Sequence, residues 1–461
     1  MPKLDPSTDE FRAAGHRLVD WIGDYFDRIE SFPPLSRVQP GDIEKEFAAA
    51  PSEGGREYDA LLRELEQKVL PGITHWNHPS FFAYFANTGS QAGILAELLC
   101  AALNANGMLW KTSPALTEIE TLTLRWLRDA LGLPGDHFGI INETASLNVF
   151  LALAAAREAL GLDIRGQGMA GRELPPLRVY CSEHAHSSVE KGALALGFGR
   201  EGVVKIASDD AFRMLPEALD EAMRRDRAQG ALPCAVVATT GTTSTAAVDP
   251  VRAIGAIAAR EKCWFHVDAA YAGSATICPE FRWIWDGIEY ADSIVVNPHK
   301  WLFTPMDCSV LYTRRPHVLR ETFSLVPEYL ITTDTAEVNY MDYGLSLGRR
   351  FRALKLWLEM EHYGLERMRA VIRDHVRFAE RLAAELEKRD DVELLAPQSF
   401  SVVVFRKKAG DDATMELLER MNASGKLFVS HTRMRGHYGI RVAIGNGATE
   451  WKHVEEVLSF L

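Results

Sequence analysis

The feature that most constrains the fold of this chain is a regular alternation of short apolar runs with helical stretches between residues 91 and 347. Six runs have the length and composition of buried strands: residues 177–181, 203–206, 235–238, 263–267, 293–296 and 309–312. Helical patterns lie between them at residues 215–227 and 251–260. The alternation predicts an α/β fold, in which helices cover both faces of a mainly parallel sheet.

Different patterns flank this central region. Apolar residues recur at helical spacing over residues 11–29, and Pro33-Pro34 ends that helix. After Gly364 a long helix precedes short strands and further helices, the pattern of a small α+β unit. We therefore predict three parts, which are an N-terminal helical segment at residues 1–90, a large α/β domain at residues 91–364 and a small C-terminal α+β domain at residues 365–461.

Composition excludes several kinds of partner. The formal charge of -12 argues against nucleic acid and anionic membrane, because both attract basic proteins. No apolar run approaches the ~18 residues of a membrane span, and the charged N-terminus is unlike a secretion signal. The six cysteines show no paired spacing, so we expect reduced thiols and a cytoplasmic protein.

Polar residues follow four of the predicted strands, and the most informative group is Asn297-Pro298-His299-Lys300-Trp301. Burial at a strand end lowers the pKa of a lysine, which makes Lys300 a candidate for covalent attachment to an aldehyde cofactor, pyridoxal 5'-phosphate. A solvated lysine at the end of a strand is the alternative. The carboxyl ends of parallel strands are the place where α/β sheets bind ligands.

Asp268, in His266-Val267-Asp268-Ala269-Ala270-Tyr271, ends another strand and is a candidate partner for the cofactor's ring nitrogen, or else a helix N-cap. His186, in the segment Ser182-Glu183-His184-Ala185-His186, is a candidate to stack on the cofactor ring, or else caps a helix. The hydroxyl-rich run at residues 239–245 is either a cofactor-binding edge or an ordinary turn.

Together the four strand ends resemble the group II pyridoxal-phosphate-dependent decarboxylases of the aromatic L-amino-acid decarboxylase family. The resemblance includes Trp76-Asn77-His78-Pro79-Ser80-Phe81-Phe82-Ala83-Tyr84-Phe85 and Ser113-Pro114-Ala115, and it extends to the C-terminus. It implies the fold-type I architecture, with a seven-stranded type of sheet. It also implies a homodimer with shared active sites, in which the N-terminal segment packs across the twofold axis.

The resemblance assigns roles to individual residues. Lys300 holds the cofactor, Asp268 contacts the ring nitrogen and His186 stacks on the ring. Thr243 and Ala270 are further cofactor contacts. At the phosphate end the family positions are Ala145, Ser146 and His299, at the start of a helix whose free N–H groups suit an anion. Here the chain departs from its relatives, because it has Glu143 where they have a glycine-containing turn. We expect the Glu143 carboxylate to point away from the phosphate.

On the substrate side the resemblance points to Trp76, Tyr84, Phe85 and Gly348, and to an aromatic amino acid: tryptophan, tyrosine, phenylalanine or a hydroxylated analogue. Tyr340 matches by its offset from Leu347-Gly348-Arg349-Arg350-Phe351 the tyrosine that protonates the substrate carbon in decarboxylases. Asn87, Asn106 and Met108 depart from aromatic-specific relatives, which indicates a retuned pocket.

Other functions fit parts of these patterns. An aromatic aldehyde synthase shares the fold and the cofactor, and Tyr340 argues against it. An aminotransferase requires an arginine for the substrate carboxylate, and no such arginine stands out in the sequence. A metal-dependent hydrolase could use His184, His186, His266, Asp268 and His299 as ligands, but it leaves Lys300 unexplained. A non-catalytic scaffold does not require polar groups at four strand ends.

Overall fold

The computed structural model describes residues 7–325 and 337–461. Its α-helices are α1 Thr8–Asp27, α2 Tyr58–Glu64, α3 Gln91–Leu103, α4 Pro114–Leu131, α5 Ala145–Glu158, α6 Ile164–Gln167, α7 Ser188–Ala195, α8 Pro216–Ala228, α9 Val251–Arg260, α10 Pro298–Trp301, α11 Pro316–Phe323, α12 Ala353–Glu387, α13 Asp411–Ala423 and α14 Trp451–Glu455. Its strands are β1 Phe138–Asn142, β2 Leu177–Ser182, β3 Val203–Ile206, β4 Leu232–Thr239, β5 Trp264–Asp268, β6 Ser293–Val296, β7 Ser309–Thr313, β8 Val392–Leu394, β9 Val402–Lys407, β10 Ser430–Met434 and β11 His437–Ala443.

Seven strands form one sheet in the order β1-β7-β6-β5-β4-β2-β3. Strands β6, β5, β4, β2 and β3 pair in parallel, whereas β7 is antiparallel to both of its neighbours. The turns that follow β2, β4, β5 and β6 therefore lie at the same edge of the sheet. These turns carry the four groups of polar residues that the sequence singled out.

Apolar packing on both faces explains why these strands are apolar along their whole length. Trp264 and Phe265 are neighbours in β5 and point to opposite faces, where they join two separate apolar clusters. Phe265 packs with Ile254 of α9, and Trp264 packs in the cluster that contains Val149 of α5. Helices on both sides thus bury the sheet, and the predicted fold-type I α/β class is confirmed.

A second, antiparallel sheet has the order β10-β11-β9-β8 and follows the long helix α12. Gly364 interrupts α12 with a positive φ of 67°, at the position where the sequence pattern changes. The cluster under this sheet includes Phe405, Ile440 and Val454. The boundaries of the three predicted parts stay predictions.

Several predicted element ends agree with the structure, namely those of β3, β6 and α9. Strand β10 was not predicted, because its outward residues His431 and Arg433 alternate with Ser430 and Thr432, which leaves little apolar signal.

The six cysteines are free and buried. Among the described helices, none combines the length and the apolar character that crossing a membrane requires.

Candidate active site

Lys300 lies on α10, directly after β6, at the edge of the sheet where the parallel strands end. Its ammonium nitrogen is 5.1 Å from the centre of the Phe85 ring. Burial lowers the pKa of Lys300 below its usual value, the charge of Arg441 acts in the same direction, and Asp268 opposes both. A lysine with a lowered pKa spends more time as the free amine, which is the form that attacks a carbonyl.

Asp268 ends β5, the strand that pairs with β6. It is only 5% exposed, and its Oδ1 accepts the backbone N–H of Ala270 at 3.1 Å. The carbonyl of Ala270 in turn accepts the backbone N–H of Asn297 at 3.2 Å. The turn that bears the acid and the turn that bears Lys300 are therefore tied together through backbone hydrogen bonds.

The hydroxyl-rich turn after β4 has a fixed shape. Gly241 has a φ of +93°, and a Cβ there would lie 2.7 Å from the Cβ of Ala272, so only glycine fits. The hydroxyls of Thr242 and Thr245 lie 2.9 Å apart inside the turn. Thr243 is exposed, unlike these two threonines, so its hydroxyl is accessible to a ligand.

His186 follows β2 and carries a neutral ring. Its Nδ1 accepts the backbone N–H of Ser188 at 3.2 Å and lies 2.9 Å from the hydroxyl of the same residue. Burial lowers the pKa of His186, the charge of Lys300 acts in the same direction, and Asp268 opposes them. Because Nδ1 accepts, the ring proton sits on Nε2.

His299 is also neutral, for the same physical reason. Its Nδ1 accepts the backbone N–H of Cys308 at 3.0 Å, which again places the proton on Nε2. Burial lowers the pKa of His299 to about 3, and the neighbouring charge of Lys300 contributes to the shift. The residue can donate a hydrogen bond through Nε2, but it does not carry a charge at neutral pH.

Helix α5 begins at Ala145, immediately after the turn that follows β1. The backbone N–H groups of Ala145 and Ser146 lie in the first turn, where no helical carbonyl can accept from them. The Glu143 carboxylate accepts a hydrogen bond from the Arg352 guanidinium at 3.2 Å. Its charge is thus paired, which reduces its repulsion of an anion at the start of α5.

An aromatic surface adjoins Lys300. The rings of Trp76 and Tyr84 stack at 5.8 Å, and Phe85 stacks on Tyr271 at 3.9 Å. Tyr84 is 56% exposed and has a φ of 55°, a conformation that is uncommon for a bulky residue. Exposed rings and local backbone strain beside a buried lysine are typical of a binding site.

Arg441 of β11 was not singled out from the sequence, because it lies within an apolar strand and its neighbours are set by the tertiary fold. Its guanidinium carbon is 4.5 Å from the centre of the Phe85 ring, and Nη1 donates to the carbonyl of Tyr84 at 2.5 Å. Nε and Nη2 are buried without a hydrogen-bond partner among the described residues. Burial lowers the pKa of Arg441 to about 10, so the group stays charged at neutral pH.

The structure of the single chain does not bring Tyr340 together with Lys300, and the role of Tyr340 as a proton donor stays a prediction. Tyr340 is 1% exposed, its hydroxyl lies 2.9 Å from that of Thr121, and its ring stacks on Phe138. The Arg349 guanidinium lies 4.7 Å from the centre of the ring. The polar stretch assigned to this loop includes residues 334–336, which lie outside the described residues.

Gly348 is the remaining predicted substrate residue, and it is exposed. A Cβ added there would lie 3.8 Å from the side-chain nitrogen of Asn106, whose carbonyl accepts the N–H of Arg349 at 3.0 Å. The structure thus places Gly348 beside Asn106, one of the residues that depart from aromatic-specific relatives. Its contact with a substrate stays a prediction.

The residues considered for a metal centre have separate partners. His184 lies 3.1 Å from the hydroxyl of Ser208, and His266 lies 2.8 Å from that of Ser293. No group of three or more potential metal ligands occurs in the part of the chain that the structure describes. The hydrolase interpretation therefore has no geometric support.

The sheet order, together with a partly buried lysine after β6 and an acid at the end of the neighbouring strand β5, is the arrangement expected of a fold-type I enzyme that uses pyridoxal phosphate. The chain matches the family model described as "Pyridoxal-dependent decarboxylase conserved domain" over residues 40–408, and it belongs to this family. It is thus an amino-acid decarboxylase that depends on pyridoxal phosphate.

Similar proteins are known from plants. The chain is 40% identical to a phenylacetaldehyde synthase of Arabidopsis thaliana, over 97% of this chain and 94% of that protein. It is 38% identical to tryptophan decarboxylase 2 of Oryza sativa subsp. japonica, over 98% and 94% of the two chains. The crystal structure of an Oryza sativa TDC with PLP and tryptamine superimposes with a TM-score of 0.95 at 39% identity, covering 99% of this chain and 98% of that one.

The residues present fit the cofactor. Lys300 is the buried amine that an aldehyde requires, and Asp268 is a carboxylate at the adjoining strand end. The start of α5 presents backbone N–H groups to a phosphate, and the acid Glu143 in the preceding turn is paired with Arg352. These three elements match the aldehyde, the ring nitrogen and the phosphate of the same molecule.

Proposed function

We propose that this enzyme converts an aromatic L-amino acid to the corresponding amine and CO2, with tryptophan, tyrosine, phenylalanine or a hydroxylated analogue as substrate. The observation that carries the proposal is the position of Lys300, next to the Phe85 ring and to a buried arginine with unpaired nitrogens. An aromatic amino acid can place its ring against Phe85 and its carboxylate against the arginine.

The residues around the cofactor have distinct tasks in this proposal. Lys300 attaches it, and its lowered pKa favours the amine that is required for attachment and for release of the product. Asp268 would keep a proton on the ring nitrogen of the bound cofactor, and the neutral His186 would stack on its ring. Pyridoxal phosphate, when bound, supplies the electron sink for the pair that is left when the carboxylate departs.

The phosphate is held at the start of α5 by the N–H groups of Ala145 and Ser146, with His299 as a further donor through Nε2. Thr243, exposed on the turn after β4, and Ala270, through its hydrogen bond to Asp268, complete the cofactor contacts. The three phosphate contacts, Ala145, Ser146 and His299, are neutral donors, and the dipole of α5 supplies the electrostatic attraction for the anion.

Arg441 binds and orients the carboxylate of the substrate. A guanidinium that is buried without a counterion is costly to fold, and an incoming carboxylate compensates that cost only when the substrate is bound. Trp76, Tyr84 and Phe85 provide flat apolar surface for the substrate ring. Arg441 would thus supply the arginine that an aminotransferase needs. The match to the decarboxylase family, and not the lack of an arginine, argues against an aminotransferase.

An aromatic aldehyde synthase is the second candidate, because the phenylacetaldehyde synthase of Arabidopsis thaliana is 40% identical to this chain. Both reactions begin with loss of CO2 and differ in what happens to the remaining carbon. Tyr340, which matches the decarboxylase tyrosine by its offset from residues 347–351, favours the decarboxylase.

The distinguishing experiment is to incubate the purified holoenzyme with each of the twenty amino acids, with dihydroxyphenylalanine and with 5-hydroxytryptophan, and to identify the products by mass spectrometry. The proposal predicts an aromatic amine in equal amount to the CO2 released, without hydrogen peroxide. An aldehyde formed with ammonia and hydrogen peroxide would establish the synthase instead. Turnover of non-aromatic amino acids only would refute the proposed substrate class.

We further propose a cytoplasmic homodimer, in which the helical segment at residues 1–90 packs on the partner subunit. Helix α1 has no buried residue, and Leu95, Leu98, Leu99 and Leu103 form an exposed apolar stripe on α3. Apolar faces of this kind are normally covered in an assembly. Six free, buried thiols suit a reducing compartment.

A further inference from the structure

Three aromatic rings form a column beside Lys300, and we call them the ring column. The Phe85 ring, whose centre is 5.1 Å from the ammonium nitrogen of Lys300, stacks on the Tyr271 ring at 3.9 Å. The Tyr271 ring stacks in turn on the Trp301 ring at 4.7 Å, with 11° between the two planes. Tyr271 and Trp301 are buried, whereas Phe85 is only partly buried. The two inner rings therefore support the one ring of the column that is accessible to a ligand.

The edge of the innermost ring is held by His375 of α12. The indole N–H of Trp301 donates to Nδ1 of His375 at 3.0 Å, and Nε2 of His375 lies 2.9 Å from the backbone carbonyl oxygen of Asn446. An indole N–H can only donate and a carbonyl oxygen can only accept, so the His375 proton sits on Nε2. Burial lowers the pKa of His375 to about 4, which keeps the ring neutral at neutral pH.

The edge of the middle ring is held by Ser401. The hydroxyl oxygen of Tyr271 lies 2.6 Å from Oγ of Ser401, and the Ser401 hydroxyl donates to the backbone carbonyl of Ile444. Ser401 has a single proton, and because that proton goes to a carbonyl, the Tyr271 hydroxyl is the donor. Both anchors thus end on backbone carbonyls of one short segment after β11, residues 444–446.

The same segment also holds the chain that leads to Phe85. The Asn446 side chain accepts the backbone N–H of Ala448 at 2.8 Å and donates to the backbone carbonyl of His78 at 3.2 Å. Stacking alone lets a ring slide within its own plane, because dispersion forces have little directionality, whereas a hydrogen bond at the ring edge is directional. Phe85 has no polar edge of its own. Its position therefore depends on the two rings beneath it and on the segment that anchors them.

We propose that His375 and Ser401 are positioning residues that hold the ring column, so that Phe85 stays where it contacts the side-chain ring of the substrate. The inference rests on the proposed function, because it takes an aromatic substrate at the cofactor on Lys300. When either anchor is lost, an inner ring shifts and Phe85 shifts with it. Aromatic ligands then bind more weakly, while the attachment of the cofactor to Lys300 is retained.

The test compares two amines as inhibitors of the holoenzyme, phenethylamine, which has an aromatic ring, and n-butylamine, which has none. Neither amine has a carboxylate, so Arg441 does not contribute to the difference between them. His375→Leu and Ser401→Ala should each weaken inhibition by phenethylamine about 3- to 10-fold, the loss that one buried hydrogen bond supports. Inhibition by n-butylamine should stay within about twofold of the wild type.

A double-mutant cycle asks whether His375 acts through Trp301. Trp301→Phe keeps a ring in the column and removes the indole N–H, so its loss and that of His375→Leu should not add when the two are combined. Trp285→Phe is the matched control, because the buried indole N–H of Trp285 donates to the backbone carbonyl of Leu131 at 2.9 Å, outside the ring column. It should lower the melting temperature and leave both inhibition constants unchanged.

Equal weakening of the two amines, unchanged inhibition by phenethylamine in both anchor variants, or additive losses in the double variant would overturn the inference. Should His375→Leu fail to fold, as judged by circular dichroism, Ser401→Ala decides the matter, since it cuts the other anchor and adds no bulk. If the wild type binds the two amines equally, the proposed aromatic substrate class fails. A preference of the wild type for phenethylamine that neither variant reduces refutes the positioning role alone.

Discussion

Arg441 offers the sharpest test of substrate binding, through the substitution Arg441→Met, which keeps an unbranched side chain and removes the charge. Two guanidinium nitrogens, Nε and Nη2, are buried without a hydrogen-bond partner in the described structure, and in the proposed function both donate to the substrate carboxylate. Hydrogen bonds between charged groups contribute about 1.5–3 kcal/mol each. Two of them give about 3–6 kcal/mol, which corresponds to a loss of about 10²- to 10⁴-fold in kcat/KM.

The assay compares the amino acid with its amine. The amine lacks the carboxylate, so its inhibition constant should be nearly the same for the wild type and for Arg441→Met, while kcat/KM for the amino acid falls. Arg433→Met is the matched control, because Arg433 lies on the paired strand β10, is exposed and contacts Asp411 at 3.3 Å. Equal weakening of amine and amino acid would show that the variant damages the pocket, and an unchanged kcat/KM would show that the carboxylate binds elsewhere.

Three further predictions concern other parts of the molecule. Tyr340→Phe should shift the product from amine toward aldehyde, because the phenol is the predicted proton donor; an unchanged ratio of amine to aldehyde would remove Tyr340 from the reaction. Burial raises the pKa of Glu359 to about 7, so this carboxyl binds its proton more tightly in the folded state. The protonated carboxyl contributes fully to stability below about pH 4.3, and this contribution is lost as pH rises through 7, a change of about 3 kcal/mol in the free energy of unfolding. Chemical unfolding of the wild type and of Glu359→Gln at pH 5 and pH 8 should show this loss in the wild type only. The same pH dependence in both proteins would contradict the assignment. Leu98→Glu with Leu103→Glu should convert the proposed dimer to monomers in light scattering, and an unchanged mass would place the interface elsewhere.

The sequence patterns predicted the α/β class because the strands are buried on both faces and so remain apolar throughout, as β6 illustrates with all four residues buried. The groups after β2, β4, β5 and β6 were recognisable because parallel strands bring their ends to one edge. Sequence patterns do not show which distant segments of the chain surround a given side chain.

Tyr340 and Arg441 are two examples of this limit. The position of Tyr340 relative to a motif predicts a catalytic phenol, but that motif does not show the packing of its ring against Phe138 and Arg349 within the single chain. Arg441 has an ordinary place in a strand, and its importance depends on the approach of Phe85 and Tyr84, more than 350 residues earlier in the chain. Both outcomes are decided by tertiary contacts.

The most direct test of the account is to reduce the holoenzyme with borohydride, digest it and locate the pyridoxyl group by mass spectrometry. The low pKa and the position of Lys300 predict a single label on that residue, with none in Lys300→Ala treated in the same way. A label on a different lysine, or an unlabelled protein that still releases CO2 from an aromatic amino acid, would contradict the account.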